Sequence, residues 1–320
     1  MTRQQKLFKY IDRSGLGLEI GPGPNPIAPK LDGFKVEVVD YALKEVLIKK
    51  FQAEGVSTDR IEEVDHVWQG QSYAELTGVR NYYDWIIASH VIEHVPDLIG
   101  FLNSCSEVLQ DRGVVSLAIP DKRFCFDRFR PVSSLGQVID SHLMLKKKHS
   151  VGSKIDFDLN YVRNRGLVYW DRFAPHVNEF EFANKAESIK WHLNADDKAE
   201  DYVDCHAWCF TPNSFRLLVF DLYHLGLTDL REIGTFPAEG AEFLIALGKH
   251  DSSTSYRPTR LELVEAAEQD QLEAATVLEL FKAAFGKLAG GIRSRMRRFV
   301  GKSKIVRRIA GKISDSDAIV

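Results

Sequence analysis

The 320-residue sequence predicts an α/β fold: a seven-stranded, mostly parallel sheet with helices on both faces, a helical insert after the fifth strand and a helical C-terminal tail. Three observations lead there. Five short apolar runs, near residues 16–20, 35–39, 62–68, 83–88 and 114–119, alternate with helical patterns, as parallel strands joined by crossover helices do. Residues 230–236 and 242–248 read as two closing strands, joined hairpin-like through Pro237 and Gly240. The first strand also runs straight into a Gly21-Pro22-Gly23 turn, and open sheets bind ligands at this carboxyl edge.

The remaining elements follow in order. The second strand, Val36-Glu37-Val38-Val39, closes on Asp40. The fourth, Asp84-Trp85-Ile86-Ile87-Ala88-Ser89, gives way to His90-Val91-Ile92-Glu93-His94, read as the start of a helix. Before the fifth strand, residues 108–113 read as a helix end and a glycine turn. Thr211-Pro212 opens a later helix, Thr211 as its cap and Pro212 in its first turn, with Phe215, Leu218, Val219, Leu222 and Leu225 at helical spacing. Residues 251–258 are polar and turn-rich, and 259–285 are helix-forming with a Leu261, Val264, Leu272, Leu278, Phe281, Phe285 stripe. Four segments result: a ligand-binding core (1–120), an aromatic-rich cap (121–210), completion of the sheet (211–250), and a linker, helix and basic amphipathic tail (251–320).

Composition is that of a globular chain, 44% apolar and 27% charged, with no apolar run long enough to span a bilayer. The first nine residues lack the apolar core of a secretion signal, and four scattered cysteines do not form a disulfide framework, so a cytoplasmic location is expected. Charge is unevenly spread. Residues 280–320 hold 11 Lys and Arg against 2 Asp, whereas the rest of the chain holds 31 basic against 43 acidic side chains. A basic amphipathic tail of this kind can lie on an anionic membrane, and residues 286–313 are the candidate, making the protein peripheral at the inner membrane face. Docking on the acidic body is an equal alternative, and nucleic-acid binding ranks behind both.

Gly21 and Gly23 let the backbone bend and approach a ligand closely, while Asp40 is placed to accept hydrogen bonds from ribose hydroxyls. The dinucleotide fingerprint would have a third glycine where Pro26 stands, to pack a pyrophosphate-binding helix. Glu19 precedes the turn, where a carboxylate faces a cationic or amine-bearing ligand or organises the loop. A ligand with a ribose, a cationic centre, an ammonium and no phosphate fits; S-adenosylmethionine is one.

The loop at Glu19-Ile20-Gly21-Pro22, the segment Ser89-His90-Val91-Ile92-Glu93-His94-Val95-Pro96-Asp97 and the segment Ile119-Pro120-Asp121-Lys122-Arg123-Phe124-Cys125-Phe126-Asp127 together resemble the class I S-adenosylmethionine-dependent methyltransferases, in their bacterial glycan-associated branch. The resemblance covers about residues 14–250. It implies a Rossmann-like sheet whose last strand is antiparallel, S-adenosyl-L-methionine as cofactor, and methyl transfer to a hydroxyl of a saccharide or cell-surface glycan intermediate. A small metabolite or quinone-like acceptor is the rival expectation. A non-catalytic cofactor-fold module recruiting partners through its tail is the third.

The candidate cofactor residues are Glu19, Gly21, Gly23, Asp40, Gln69 and Ser89. Gln69 stands where relatives often place an adenine-binding acid, with Asp65 as the alternative should the register differ. The candidate catalytic residues are His90, His94 and Asp121. Spacings of three and four residues put His90, Glu93 and His94 on one face if the segment is helical, a histidine acting as base and Glu93 orienting it. The segment also resembles the E-x-x-E-H of metal-using ubiquinone-pathway methyltransferases, but His90 replaces the first Glu, and no metal is assigned. Cys205-His206-Ala207-Trp208-Cys209 lacks the spacing of a four-ligand zinc site, while Asp204 and His206 are placed to reach back over the cleft. The aromatics of 121–210, among them Phe126, Phe129, Tyr161, Tyr169, Trp170, Phe180 and Phe182, read together as a mostly helical substrate cap, and singly as members of a satellite core.

Overall fold

The computed structural model describes residues 1–171, 179–194, 203–250 and 257–272. Its elements in chain order are α1 (Arg3–Leu7), β1 (Gly17–Ile20), β2 (Val36–Asp40), α2 (Lys44–Ala53), β3 (His66–Val67), α3 (Tyr73–Thr77), β4 (Tyr83–Ser89), α4 (Leu98–Val108) and β5 (Leu109–Pro120). The insert follows with α5 (Leu135–Leu143), α6 (Val151–Asn160), β6 (Val162–Asn164), β7 (Phe180–Phe182) and α7 (Ala186–Ile189). The chain then returns to α8 (Pro212–His224), β8 (Arg231–Glu239) and β9 (Glu242–Gly248). Residues Met1–Asp270 form one compact unit.

Seven strands make one sheet in the order β3-β2-β1-β4-β5-β9-β8. β1, β2, β3, β4 and β5 are parallel, while β9 runs antiparallel between β5 and β8. This is the sheet the sequence predicts. β4 sits at the centre and is apolar nearly throughout: Tyr83, Trp85, Ile86 and Ile87 are all inaccessible, as expected for a strand covered by helices on both faces. Close packing reaches β1, where a Cβ on Gly17 would stand 2.2 Å from the Trp85 ring. α8 begins as expected, with Thr211 capping Ser214, Pro212 in the first turn, and Phe215, Leu218, Val219 and Leu222 buried.

Several boundaries differ from expectation. β3 is an edge strand of only two residues, because it pairs with β2 alone and Ile61–Asp65 leave the ladder. β5 reaches back to Leu109, since Leu109 pairs with Tyr83 and carries the chain through Gly113 without a turn. His90–Asp97 is a turn, not a helix; α4 begins only at Leu98, capped by Asp97. Among its described residues the insert is mixed and not mostly helical: α5 and α6 share it with the β6–β7 pair, α7 and a 3-10 turn over Lys190–Asn194. It leaves and re-enters at one point, where Asp121 and Phe210 form a parallel bridge.

A helix described over 260–272 belongs with the body as far as Asp270. It buries Leu263, Ala267 and Asp270, whereas the expected stripe residues Leu261 and Leu272 are exposed. Polar contacts set that rotation. Arg260 pairs with Asp221 of α8, and Asp270 accepts from the Asn213 amide and from Arg123. The tail at 286–313 lies outside the described residues. No described helix is long and apolar enough to cross a membrane.

Candidate active site

The carboxyl edge of β1 and β2 forms the first half of the site. Gly21 (φ +61°) and Gly23 (φ +50°) both take the left-handed conformation that glycine adopts without strain. A Cβ on Gly21 would meet Val91 at 2.9 Å, so the loop after β4 lies directly against this turn. Asp40 is buried at the end of β2; its Oδ2 faces the Gly23 amide at 3.4 Å and its Oδ1 accepts from the Tyr41 amide at 2.8 Å. Burial pushes the Asp40 carboxyl above the usual range, against those two hydrogen bonds.

Glu19 behaves differently from a ligand-facing acid. Its two oxygens accept from the amides of Ile27 (2.6 Å) and Ala28 (3.0 Å), and the side chain is fully buried. Burial pushes its pKa up to about 7. Glu19 therefore pins the far end of the glycine loop, and its carboxylate has no face left for a cationic ligand. Gln69 is exposed beyond β3, where the neighbouring Trp68 amide donates to the Asp40 carbonyl at 2.8 Å. The chain thus brings Gly21, Gly23, Asp40 and Gln69 to one sheet edge. Asp65, the alternative to Gln69, holds the Val38 amide and Lys30.

The turn after β4 forms the second half. His90 adopts φ +55° and its amide donates to the Ala118 carbonyl of β5, which fixes it at the sheet edge. Its Nε2 lies 2.9 Å from Oε2 of Glu242, at the start of β9. Arg3 of α1 binds the same carboxylate and also donates to Ser89 Oγ at 2.7 Å. Burial would raise the Glu242 pKa, but His90 and Arg3 hold it down at about 2. The hydroxyl of Ser89 thus belongs to this network at the edge of β4. The half-buried His90 ring meets the Tyr169 ring edge-on at 6.1 Å.

The returning end of the insert completes the site. Amides of Ala207 and Trp208 donate to the Glu93 carbonyl at 2.7 and 3.2 Å, which draws His206 beside His94, ring centroids 4.5 Å apart. Each histidine is held through Nδ1 by a carboxylate: His94 by Asp204 at 2.8 Å, His206 by Asp127 at 2.5 Å. Asp127 also accepts from Arg130 at 2.8 Å. Burial opposes its charge, but His206 and Arg130 hold its pKa at about 2. Burial likewise works against a charged His94, and Asp204 and Glu93 outweigh it, so that pKa is raised.

Glu93 is fully buried and neither carboxylate oxygen makes a hydrogen bond. Its Oε1 lies near both His90 Nδ1 (3.6 Å) and His94 Nε2 (3.9 Å). Glu93, His94 and His206 each bring one donor atom within 4.8 Å of the others. Among the described residues this is the one group of three such side chains close enough together to share a cation. A helix is not what unites the residues; the turn and the insert's return do so.

Asp121 is not at the cleft. It is inaccessible, and Arg123 grips both its oxygens, with Nη2 at 2.6 Å; burial raises its pKa against that ion pair. A carboxylate so enclosed is a structural anchor for the insert, not a base facing an acceptor. Arg3, Asp127 and Glu242 were missed in the sequence because each enters through a long-range contact that no local pattern announces. Only the Asp127 position, at the end of a quoted motif, carried a signal.

A family model described as a methyltransferase domain matches residues 2–190 of the chain. The chain belongs to that family. It is an S-adenosylmethionine-dependent methyltransferase, and the glycine turn with Asp40 beyond it fits that cofactor's mix of ribose and positive charge. No curated protein matches the methyltransferase. Solved structures resemble it in fold at low identity. The PH0226 protein from Pyrococcus horikoshii is 15% identical, over 77% of this chain and 86% of that one, with a TM-score of 0.38. A SAM-dependent methyltransferase from Archaeoglobus fulgidus is 14% identical, over 77% and 90%, with a TM-score of 0.32.

Proposed function

We propose that this methyltransferase methylates a hydroxyl of a saccharide or glycan intermediate, with His90 as the general base. The observation that carries the reading is the His90–Glu242 hydrogen bond, 2.9 Å long, beside a turn that touches the Gly21 loop. When bound, S-adenosylmethionine would supply a methyl group on its sulfonium for in-line attack by an acceptor electron pair, with neutral S-adenosylhomocysteine as the leaving group. Gly21 and Gly23 leave room for the cofactor's amino-acid part, Asp40 takes the ribose hydroxyls, and the Gln69 loop flanks the adenine.

His90 has the features of a base. Nε2–H donates to Glu242, which leaves Nδ1 with the lone pair to take the acceptor's proton. The proton then lies between two carboxylates, Glu242 and Glu93. Such a base contributes about 10²–10⁴-fold, and alignment of donor and acceptor supplies on the order of 7–11 kcal/mol more. Tyr169, 40% exposed beside His90, offers an apolar face with a polar tip, suited to a sugar's mixed surface.

A second reading concerns Glu93. A buried carboxylate without a hydrogen bond is costly unless something charged meets it. The carboxylate-anchored His94 and His206 beside it are arranged as metal-binding histidines are. A divalent cation there would engage the acceptor's oxygen while His90 takes its proton. Attachment to an anionic membrane through residues 286–313, at the cytoplasmic face, also remains part of the proposal.

The acceptor is tested with radiolabelled donor against sugar nucleotides, lipid-linked oligosaccharides and quinone-like phenols. Turnover is expected on a saccharide. Label appearing only on the phenols would sink the saccharide reading and leave methyl transfer intact.

A further inference from the structure

The end of α5 presents an apolar tip that the described fold leaves exposed. Leu143, Met144 and Leu145 are consecutive and 71%, 68% and 73% exposed, and Lys146, Lys147 and Lys148 follow at once. Leu145 has φ +50°, where a bulky side chain is an outlier. Its amide donates to the His142 carbonyl and the Lys146 amide to that of Ser141, at 2.9 and 3.2 Å. Helices end this way on a left-handed residue that is usually glycine. Glycine would close this helix without strain. Leucine strains the backbone and leaves an apolar side chain in water, so its reason lies outside the described fold.

The tip is also held firmly. Val138 is buried in the main core, Ser141 Oγ donates to the Pro96 carbonyl at 2.6 Å, and His142 pairs with Asp97 at 2.9 Å. Pro96 and Asp97 end the loop that carries His90 and Glu93. The apolar triplet thus projects from a helix fixed to the active-site loop.

We propose that residues 143–147 dock on an anionic lipid surface, the Leu-Met-Leu tip entering the interface and Lys146 and Lys147 meeting lipid phosphates. Charge selects this occupant. Lysines behind an apolar wedge run their aliphatic stems along lipid while their ammonium groups reach anionic headgroups. The same lysines repel a second copy of the tip. They also disfavour the chain's own 280–320 segment, with 11 basic residues against 2 acidic. The proposal does not depend on the acceptor chemistry or on a role for 286–313, so each can fail alone.

The test is sedimentation of the full chain with vesicles of phosphatidylcholine, alone or with one-third phosphatidylglycerol. Wild type is expected to pellet with the anionic vesicles and not the neutral ones. Met144→Ser with Leu145→Ser should weaken that binding by about tenfold or more, as loss of buried apolar area does. Lys146→Glu with Lys147→Glu should reduce the anionic preference by about tenfold or more. Both variants should bind S-adenosylmethionine as wild type does, which shows that they fold. If they pellet as wild type does, the membrane contact lies elsewhere and the proposal is overturned. Met144→Trp gives a direct readout: its emission should shift to the blue on anionic vesicles and be quenched by brominated lipid. Unshifted emission overturns the proposal, as does a dimer that the serine variant dissolves.

Discussion

His90 and Arg3 meet on one carboxylate, that of Glu242, with Nε2 of His90 at 2.9 Å and Nη2 of Arg3 also at 2.9 Å. The first helix of the chain, the central strand and the antiparallel strand are thereby joined at the mouth of the cleft. Glu242 orients the imidazole, and Arg3 keeps Glu242 charged and in place.

His90→Ala should lower kcat by about 10²–10⁴-fold while leaving S-adenosylmethionine affinity near wild type. Glu242→Gln should also lower kcat, by less, because the amide can still accept from Nε2–H. Steady-state kinetics with calorimetric donor binding separates the two effects. If His90→Ala turns over at the wild-type rate, the base lies elsewhere.

Asp40→Ala should weaken S-adenosylmethionine binding by at least about tenfold, since hydrogen bonds to a charged group are worth roughly 1.5–3 kcal/mol. Isothermal titration measures it, and thermal unfolding confirms the fold. Unchanged donor affinity would place the ribose away from β2.

Asp127 has a folded pKa of about 2 against an ordinary value of 3.8. A depressed carboxyl stabilises the fold above the ordinary value, and that stability is lost as pH falls from about 4 toward 2. The amount is on the order of 2 kcal/mol. Asp127→Asn should cost about 3–5 kcal/mol at neutral pH, because Arg130 loses a buried counter-charge and His206 its carboxylate partner, and should flatten the acid limb. Urea unfolding at pH 7, 4 and 2 checks both.

Chelator-stripped protein titrated with Co²⁺ should take up one ion with visible absorption from mixed imidazole and carboxylate ligands. Glu93→Gln should abolish it, and Asp204→Asn should weaken it by about 10–100-fold. Uptake unaffected by Glu93→Gln would exclude this cluster as the site.

The sequence by itself determined the fold class and the sheet edge that carries the glycine turn and Asp40. Strand periodicity, the positive-φ glycines at 21 and 23 and Asp40 closing β2 are local, since each depends on a few adjacent residues and the backbone they allow. The Thr211–Pro212 start of α8 is local in the same sense. What local pattern misjudged was the segment at His90–Asp97, whose spacing suits a helix; its backbone is instead held as a turn by contacts to β5 and to Ala207 and Trp208. Only the tertiary structure decided that Glu19 would be spent on the amides of Ile27 and Ala28, that Arg123 would enclose Asp121, and that His206 would reach His94. Those outcomes depend on where an insert leaves and rejoins the sheet, and the long-range hydrogen bonds that fix this have no periodicity in the chain.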